Sequence, residues 1–525
     1  MKRILVFALT LAMLLASMTP MASADVTLPI SETPITLSCW VLDVNNEGKF
    51  ADSKLLDWVF DKTNIRLDVT VFSMSQQEAL NLRLATLEDL PDLALRLDMN
   101  SDLLADACEG GYIVELTDEL LQKYAPYWAK FLQENPQADT LHRGYRVGLP
   151  NVDYVEYVGN LRDLLLMNKV WLEELNLEVP TTVKEFTAVL QAFKDNAGKG
   201  SIPAEAIPFY YQWDHRISGM FDVLGFWGIT VTQTNWLAVD HGKVVFQGVN
   251  PAIKEPIKYL AELYAKGLTP AESFTDDRNM SIARTSSETP YLGFFTAFNN
   301  PKKDVYIPVA PMDTETGVKP VIRKQEFTSS GRDDFMIFSG NKYLKETLAL
   351  ADWLASDPEA VANFQLGMQG YSWDYDENGK ITPFTEEAKL AVKEKVGEEE
   401  WNLNTGFGNF ICGIRAEDFY AVYNDVSYND PNSRAWAYEH VYKDYVPQGE
   451  TNWRKASTGD TDLDQRRGDL QVDIDNLRST TLARWITGQG DIDAEWDAYV
   501  KQMNDLGLQE YLALWQQAYD TLGLN

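Results

Sequence analysis

Residues 35–72 read ITLSCWVLDVNNEGKFADSKLLDWVFDKTNIRLDVTVF, and this stretch decides the fold class. It places an apolar residue at every second position from Ile35 to Val41, which predicts a β-strand. The segment 52–63 repeats apolar residues at helical spacing, and 65–72 alternates again. A second helical pattern, SQQEALNLRLAT, and a short apolar segment, LPDLALRL, follow. Strand, helix, strand, helix, strand is the order of a parallel sheet covered by helices, so the sequence predicts an α/β fold.

The amino end of the chain has the pattern of a secretory signal peptide. Lys2 and Arg3 precede the apolar run ILVFALTLAMLLASM, and Ala22-Ser23-Ala24 gives a small-residue cleavage site. We therefore expect residues 1–24 to be removed and the mature protein to begin at Asp25. A lipid-anchored protein needs a Cys directly after cleavage, and Asp25 occupies that position. The expected protein is exported and has no lipid anchor.

Composition limits both the architecture and the partners. The chain has 525 residues, and its 45% hydrophobic content is enough for a large core. About 500 residues after cleavage predict two to four domain-sized parts. The formal net charge of -32 repels phosphate backbones and anionic lipids, so nucleic acid and membrane surfaces are poor partners. Three cysteines permit at most one internal disulfide.

Local signals place several more helices. Thr182 and Glu185 have the spacing of a capping box at the start of VKEFTAVLQAFKD, whose apolar residues repeat at helical spacing. The segments 251–268 and 342–356 are also amphipathic, and the carboxyl-terminal tail reads as helices interrupted at Gly507. We find no internal repeat and no low-complexity linker.

Catalytic signatures are absent from the sequence. The four histidines are scattered without a second ligand at helical or turn spacing, and no nucleophile elbow, phosphate-binding Gly loop or Cys–His signature is present. The 78 acidic residues leave a glycosidase-type carboxylate pair open, although none can be singled out.

Aromatic residues next to charged ones are the best candidates for a ligand site. FYYQWDHR, at 209–216, sets aromatic rings beside a carboxylate and a guanidinium, and GYSWDY, at 370–375, adds Tyr371 and Trp373. Such rings can stack on the C–H face of a sugar while charged groups bond its hydroxyls. For each ring singly, a place in the core is the stronger interpretation. The candidate binding residues are Trp213, Asp214, Arg216, Tyr210, Trp236, Tyr371, Trp373, Arg332 and Trp40.

The segment DYDENG, at 374–379, has the acidic spacing that opens a calcium loop. Its twelfth position is Thr385, however, where such a loop needs a bidentate Glu. Asn378-Gly379 is instead a signal for a tight hairpin with YSWDY and KITPF as its arms. The hairpin is the favoured prediction.

The order of these segments resembles the extracellular solute-binding proteins of ABC importers, in the branch that binds oligosaccharides. The resemblance covers nearly the whole mature chain. It rests on LEDLPDLA, CEGGYIVELTDELLQKYAPYW, GYRVGLP, NKVWLEELNLEVPTTVKEFTAVLQAFK, IKYLAELYAKGLTPAESF, GMQGYSWDYDENGKI and RWITGQGDIDAEWDAYVKQMNDLGLQEYLALW.

The resemblance implies a type II periplasmic-binding-protein-like fold, with two α/β lobes, a hinge and an interlobe cleft that holds the ligand. It implies a protein that delivers an oligosaccharide to ABC permease subunits without catalysis, and we expect a monomer with no cofactor. Near the cleft, the Gly-aromatic hairpin makes Tyr371 and Trp373 candidate sugar contacts. The expected lobes are 25–155 and 306–360 for lobe 1, and 156–305 and 361–525 for lobe 2.

Two departures from the family pattern have consequences. Several relatives carry a calcium loop of the form Asp-x-Asn-Gly-Asn-Gly after the helix that here ends AFKDN. This chain has DNAGKGSIPAEAIP, where Ala197 and Lys199 stand at ligand positions, so we expect the structural calcium to be lost. Without a lipid anchor, the protein needs a periplasm or another means of staying at the cell surface.

Two other functions remain open on the sequence. One is a secreted carbohydrate-active enzyme with an acidic cleft, and the other is a peptide-binding or sensory member of the same fold. Within the transport function, acidic side chains suit neutral sugars as hydrogen-bond acceptors. A uronate would need a cation, for which Arg216 and Arg332 are the nearest candidates.

Overall fold

The computed structural model describes residues 26–43, 50–73, 76–97, 101–135, 138–139, 141–153, 160–213, 220–231, 236–324, 329–405, 413–415, 417–447, 458 and 460–521. The strands are β1 (Ile35–Asp43), β2 (Ile65–Ser73), β3 (Leu93–Leu95), β4 (Leu149–Asp153), β5 (Leu164–Asn168), β6 (Ile207–Phe209), β7 (Leu237–Asp240), β8 (Lys243–Phe246), β9 (Leu292–Ala297), β10 (Tyr306–Pro308), β11 (Ser329–Ile337), β12 (Trp373–Tyr375), β13 (Ile381–Pro383) and β14 (Ile414–Arg415).

The helices are α1 (Lys54–Thr63), α2 (Gln77–Thr86), α3 (Ser101–Glu109), α4 (Asp118–Tyr124), α5 (Pro126–Glu134), α6 (Lys169–Glu174), α7 (Val183–Asp195), α8 (Phe221–Leu224), α9 (Lys254–Ala265), α10 (Arg278–Thr285), α11 (Leu344–Ser356), α12 (Pro358–Leu366), α13 (Glu386–Val396), α14 (Glu398–Asn402), α15 (Glu417–Val422), α16 (Arg434–Ala437), α17 (Thr461–Ile486), α18 (Ile492–Asp505) and α19 (Leu508–Asp520). No helix in these described ranges has the length and apolar character needed to cross a membrane.

The chain forms two compact units. Unit 1 contains Met1–Tyr154 and Ser329–Val426, and unit 2 contains Val155–Thr328 and Ser427–Asn525. The chain therefore passes from one unit to the other three times, and we call these passages the crossing segments.

Unit 1 is built on a sheet of order β14-β4-β11-β3-β1-β2. The predicted strand–helix–strand order is confirmed, because β1 pairs in parallel with both β2 and β3. The alternation predicted for β1 also holds, since Leu37, Cys39 and Val41 lie in one core cluster. Leu42 and Trp40 lie in a second cluster on the other face. The sheet is thus covered on both faces, as expected for parallel strands.

Strand β11 is antiparallel to both of its neighbours, and this fixes the direction of the remaining strands. It is antiparallel to both β3 and β4, so β4 runs in the same direction as β1, β2 and β3. Strand β14 is parallel to β4. All of these parallel strands end at one side of the sheet, which we call the carboxyl edge of unit 1.

Unit 2 is built on a smaller sheet of order β10-β5-β9-β6. Helix α7 packs on it through Phe186, Leu190 and Phe193, which are all fully buried. The predicted capping box is confirmed, since Thr182 Oγ1 accepts from the Glu185 N–H at 3.2 Å and the Glu185 carboxylate accepts from the Thr182 N–H at 3.2 Å. Helices α17, α18 and α19 complete the core of this unit.

The two units divide the chain differently from the predicted lobes. Residues 306–328 belong to unit 2, because β10 pairs with β5. Residues 361–426 belong to unit 1, because β14 pairs with β4 and α12 packs on α11. The predicted return at 306 and exit at 360 are corrected: the chain re-enters unit 1 at Ser329 and leaves it after Val426.

Candidate functional site

The candidate site in unit 2 lies where its parallel strands end. Strands β6 and β9 are parallel and β5 is antiparallel to β9, so β5 begins where β6 and β9 end. We call this side the carboxyl edge of unit 2. In open α/β sheets, ligands bind outside the carboxyl ends of the strands. The segment after β6, containing Tyr210 and Trp213, and the residue after β9, Phe298, both lie at this edge.

Trp213 is half-buried and fixed on three sides. Its backbone N–H donates to the Ser273 carbonyl at 2.7 Å, and its indole Nε1–H donates to Ser479 Oγ at 3.0 Å. Its ring lies 5.4 Å from the Phe274 ring at an interplanar angle of 34°. A part-exposed aromatic ring held in one orientation is suited to stack on a ligand. Of the predicted site residues in unit 2 whose side chains are described, Trp213 best fits that role.

Tyr210 was predicted to contact the ligand, and this prediction is corrected because its side chain is fully buried. Its hydroxyl donates to Asp276 Oδ2 at 2.9 Å, and the Arg284 side chain of α10 donates to the same carboxylate at 2.5 Å. Gln212 Nε2 donates to the Asp276 carbonyl at 3.0 Å. These bonds tie the segment leading to Trp213 to the start of α10, so Tyr210 has a supporting role.

Trp236 is likewise corrected to a core residue. It is fully buried, 5.7 Å from the Phe221 ring, with the Arg478 guanidinium 4.8 Å from its own ring centre. It comes immediately before β7 and has a φ of 54°, a conformation that is uncommon for a bulky side chain. Asp214 and Arg216 lie outside the described residues, and so their predicted roles stay predictions.

Phe298 is a candidate that the sequence reasoning missed. It is 38% exposed, although it directly follows the fully buried strand β9. The guanidinium of Arg434 lies 3.8 Å from its ring centre, and that of Arg162 lies 5.2 Å away. The signal was available in LGFFTAFNN, where an aromatic residue and two asparagines end an apolar strand. Phe298 gives the edge a second part-exposed ring.

A buried ionic cluster supports this edge. The Asp163 carboxylate accepts from Arg162 Nη1 at 3.1 Å and from Arg323 Nη2. Arg323 Nε also lies 3.4 Å from Asp222 Oδ1. Burial raises the pKa of Asp222 to about 6, and the neighbouring Arg323 limits the increase. Buried charges require such partners, so the cluster fixes the positions of these side chains.

Further hydrogen bonds inside unit 2 join parts of the chain that come shortly after or shortly before the crossing segments. The Arg162 N–H donates to the Arg323 carbonyl at 3.0 Å. Arg434, the first residue of α16 after the third crossing segment, donates through Nη2 to the carbonyl of Leu161. The three parts of the chain that enter or leave unit 2 are therefore bonded to one another.

In unit 1, Tyr371 lies with charged partners beside the start of α1. Its hydroxyl donates to Glu400 Oε1 at 2.8 Å, and the Lys54 ammonium donates to the same carboxylate. Helix α1 begins at Lys54, near the carboxyl edge, because it follows β1 and returns along the sheet to the parallel strand β2. The hydrogen bond to Glu400 raises the pKa of Tyr371, and that from Lys54 lowers the pKa of Glu400. Tyr371 is half-buried and remains a candidate contact.

Asp153, the last residue of β4, is the centre of a second polar cluster at this edge. Its carboxylate accepts from Tyr420 at 2.8 Å and pairs with Arg415 at 2.5 Å. Arg332 lies in the neighbouring strand β11, and its side chain is outside the described structure. Its proposed role toward an acidic sugar therefore stays a prediction.

Trp373 and Trp40 are corrected to core residues of unit 1. Trp373 is fully buried, and its Nε1–H donates to the Gly367 carbonyl at 2.8 Å. Trp40 is 5% exposed and packs against Phe72 and Phe338. Both rings therefore contribute to stability and neither presents a face to a ligand.

The predicted hairpin at 373–383 is confirmed, with Trp373 paired to Pro383 and Tyr375 to Ile381. Its turn is longer than the two-residue Asn-Gly turn that the sequence suggested. Asp376 Oδ1 accepts from the N–H groups of Asn378 and Lys380, each at 2.9 Å. The carboxylate thus organises the turn itself, which explains an acidic residue there without a metal.

The segment after α7 has the turns of a calcium loop with a lysine among its ligand positions. Gly200, at the sixth position from Asp195, has a φ of 53°. Lys199 Nζ donates to the Asp195 carbonyl at 2.9 Å and to Asn196 Oδ1 at 3.3 Å. Among the residues that the structure describes, no group of three His, Cys, Asp or Glu side chains could hold a metal ion.

Calcium is expected to leave the melting temperature of the protein unchanged. The reason is that the side chains of Lys199 and Ala197 carry no oxygen ligand, so we expect no calcium to bind the folded state and stabilise it. Melting curves in millimolar calcium and in chelator should therefore superimpose. A control variant, Lys199→Ala, should behave the same way in both solutions. A melting temperature that rises with calcium concentration would contradict the prediction.

Comparison with known proteins agrees with this architecture. A family model described as bacterial extracellular solute-binding protein matches residues 53–361. The chain is 27% identical over 514 residues to the fructooligosaccharide ABC transporter substrate-binding protein FusA of Streptococcus pneumoniae serotype 4, covering 95% of this chain and 93% of FusA. The structure of FusA in complex with kestose is similar with a TM-score of 0.75 at 23% identity, covering 93% of this chain and 99% of that one.

A solved structure of an HMO-binding, ABC-transporter-associated solute-binding protein from Bifidobacterium longum infantis is also similar. Its TM-score is 0.76 at 23% identity, covering 94% of this chain and 100% of that one. These likenesses establish the type II periplasmic-binding-protein-like fold. The family match spans more than half of the chain. This chain therefore belongs to the family of bacterial extracellular solute-binding proteins.

Proposed function

We propose that this protein captures an oligosaccharide and delivers it to an ABC importer. The observation that carries the proposal is Trp213, a half-buried indole held in one orientation at the carboxyl edge of unit 2. Family membership gives the general role of solute capture. The name of the relative FusA supports the ligand class, because FusA is a substrate-binding protein for fructooligosaccharides.

The binding mechanism follows from the chemistry of the two partners. A sugar ring has apolar C–H faces and a rim of hydroxyl groups, so a flat aromatic surface can bury the faces while polar groups bond the rim. Trp213 and Phe298 supply two such surfaces in unit 2. In unit 1, Tyr371 and its partner Glu400 combine a ring with a carboxylate that can accept from hydroxyls. We propose a neutral oligosaccharide, the class to which a carboxylate offers favourable hydrogen bonds.

The replacement of Trp213 by alanine is expected to weaken binding of the oligosaccharide by about 30-fold. Truncating an aromatic residue at the centre of a binding surface typically costs about 2 kcal/mol, which corresponds to that ratio. Phe298→Ala should weaken binding in the same direction. Titration calorimetry with neutral oligosaccharides, uronate oligosaccharides and peptides measures the effect and identifies the ligand class.

Trp58→Ala is a matched control for this experiment. Trp58 is also half-buried, but it lies in α1 of unit 1 and stacks on Trp353 at 5.3 Å. We expect it to alter stability and leave affinity unchanged. If Trp213→Ala binds the oligosaccharide as tightly as the wild type does, Trp213 is not a contact. If the protein binds only peptides, the fold assignment stands and the proposed ligand class is wrong.

We further propose that the protein binds without chemical conversion. The named relatives are binding proteins, which supports this assignment over the carbohydrate-active enzyme. Long incubation with the bound oligosaccharide, followed by chromatography, should return it unchanged. Product that forms with the wild type and not after replacement of Glu400 or Asp153 would establish catalysis instead.

The proposal also covers the cellular location of the protein and its partners. We propose an exported protein, periplasmic or extracellular and associated with the cell surface without a lipid anchor. It acts as a monomer whose partners are the permease subunits of the importer. The net charge of -32 argues against nucleic acid as a partner.

A further inference from the structure

The orientation of the Trp213 indole depends on a residue from the carboxyl-terminal part of the chain. Its Nε1–H donates to Ser479 Oγ in α17 at 3.0 Å, across a sequence separation of 266 residues. Phe274 covers part of the ring, and the backbone N–H is bonded to Ser273. The remaining rotation of the indole about its side-chain bonds is limited by the bond to Ser479.

Ser479 is itself held firmly. Arg478, which precedes it, is 1% exposed and places its guanidinium 4.8 Å from the Trp236 ring. Ile474 and Leu482 of the same helix are fully buried in the core of unit 2. The hydroxyl that accepts from Trp213 is therefore presented by a rigid helix, and this is the condition for orienting a partner side chain.

We infer that Ser479 is a positioning residue for ligand binding: it holds the Trp213 ring in the plane on which the ligand stacks. This inference rests on the proposed function, because it assigns a role at the same site. Its physical basis is preorganisation. A ring that is already fixed loses less conformational freedom when the ligand binds.

The expected effect is a moderate loss of affinity in Ser479→Ala, of about 2- to 10-fold, because ordering one side chain on binding costs that much. Ser479→Thr keeps a hydroxyl and should bind as tightly as the wild type. Thr480→Ala, which removes an exposed hydroxyl from the next residue of the same helix, is the matched control and should have no effect.

A double-mutant cycle separates positioning from direct contact. Trp213→Phe keeps a ring but has no N–H to donate, so Ser479→Ala should cause no further loss of affinity in that background. An equal loss in both backgrounds would mean that the Ser479 hydroxyl contacts the ligand directly and would overturn the inference. Wild-type affinity in Ser479→Ala would overturn it as well.

Nuclear magnetic resonance of the indole N–H groups tests the positioning without any ligand. The resonance that disappears in Trp213→Phe belongs to Trp213. It should move and broaden in Ser479→Ala and return in Ser479→Thr, while the other indole resonances stay in place. An unchanged Trp213 resonance in Ser479→Ala would refute the inference. Failure of the wild type to bind any oligosaccharide would refute the proposed function, and the resonance would still decide the role of Ser479.

Discussion

Replacing Trp373 by alanine is expected to lower the free energy of unfolding of unit 1 by about 3–5 kcal/mol and to leave the affinity for the oligosaccharide unchanged. The ring is fully buried, lies 5.4 Å from Tyr375 and packs in a cluster with Val361, Ile381 and Phe419. Its removal opens a cavity and leaves the Gly367 carbonyl without its indole donor. Urea denaturation measures the loss of stability, and calorimetry well below the transition measures affinity.

Tyr371→Phe is the companion variant for this measurement. It removes the hydroxyl that donates to Glu400 and keeps the half-buried ring, so its effect on stability should be small. The two variants thus compare a core ring of the hairpin, Trp373, with the half-buried ring of Tyr371 two residues before it. A large loss of affinity in Trp373→Ala at wild-type stability would place that ring in contact with the ligand and would contradict its assignment to the core.

Replacing Asp352 by asparagine is expected to make unit 1 more stable relative to the wild type as the pH rises from about 4 to 8. Asp352, in α11, is fully buried, and its Oδ1 accepts from the Trp128 N–H in the first turn of α5 at 3.1 Å. Burial raises the pKa of its carboxyl to about 7, and the hydrogen bonds from α5 oppose that increase. The side chain is therefore protonated in the folded protein over a range in which it is ionised in the unfolded chain.

The sign of the effect follows from this difference. Between the ordinary value of 3.8 and about 7, the folded state binds one proton more than the unfolded state, so the stability of the wild type falls as the pH rises. The difference between the two pKa values corresponds to roughly 4 kcal/mol of stability. This stability is fully present below pH 4 and is lost above pH 7. Asparagine cannot ionise and keeps an oxygen that can accept from Trp128.

Urea denaturation of both proteins from pH 4 to 8 measures this dependence. The difference in unfolding free energy should grow with pH and level off above the pKa of Asp352. Asp497→Asn, at an exposed position of α18, serves as the control and should follow the wild type at every pH. A constant difference across the range would show that the pKa of Asp352 is not raised in the folded protein, and would contradict the prediction.

The sequence predicted the local features of the fold well. The alternation from Ile35 to Val41 and the capping box of Thr182 and Glu185 depend on residues within one strand or one turn, so the sequence carries the whole signal. The course of the chain between units depends on distant pairings instead. Strand β14 joins β4 across more than 250 residues, and its two residues have no periodic pattern of their own.

The candidate site was predicted less well, for a similar reason. Tyr210 and Trp213 are three residues apart in FYYQW, yet one is fully buried and the other is half-buried. Tyr210 contacts Asp276 and Arg284, and Trp213 contacts Ser479 of α17, all of which come much later in the chain. Sequence reasoning could therefore find the aromatic segment and could not say which of its rings stays accessible.

The bonds among Leu161, Arg323 and Arg434 also bear on the order in which a growing chain can fold. A chain that emerges from its amino terminus completes unit 1 when residue 426 has appeared. Unit 2 gains the bond from Arg434 to Leu161, 273 residues earlier, only later, and residues of α17 to α19 are the last to join its core. Contacts of such long sequence separation form slowly. The core of unit 2 is thus complete only when nearly the whole chain is available, although its sheet is built entirely from strands that lie between Leu164 and Pro308.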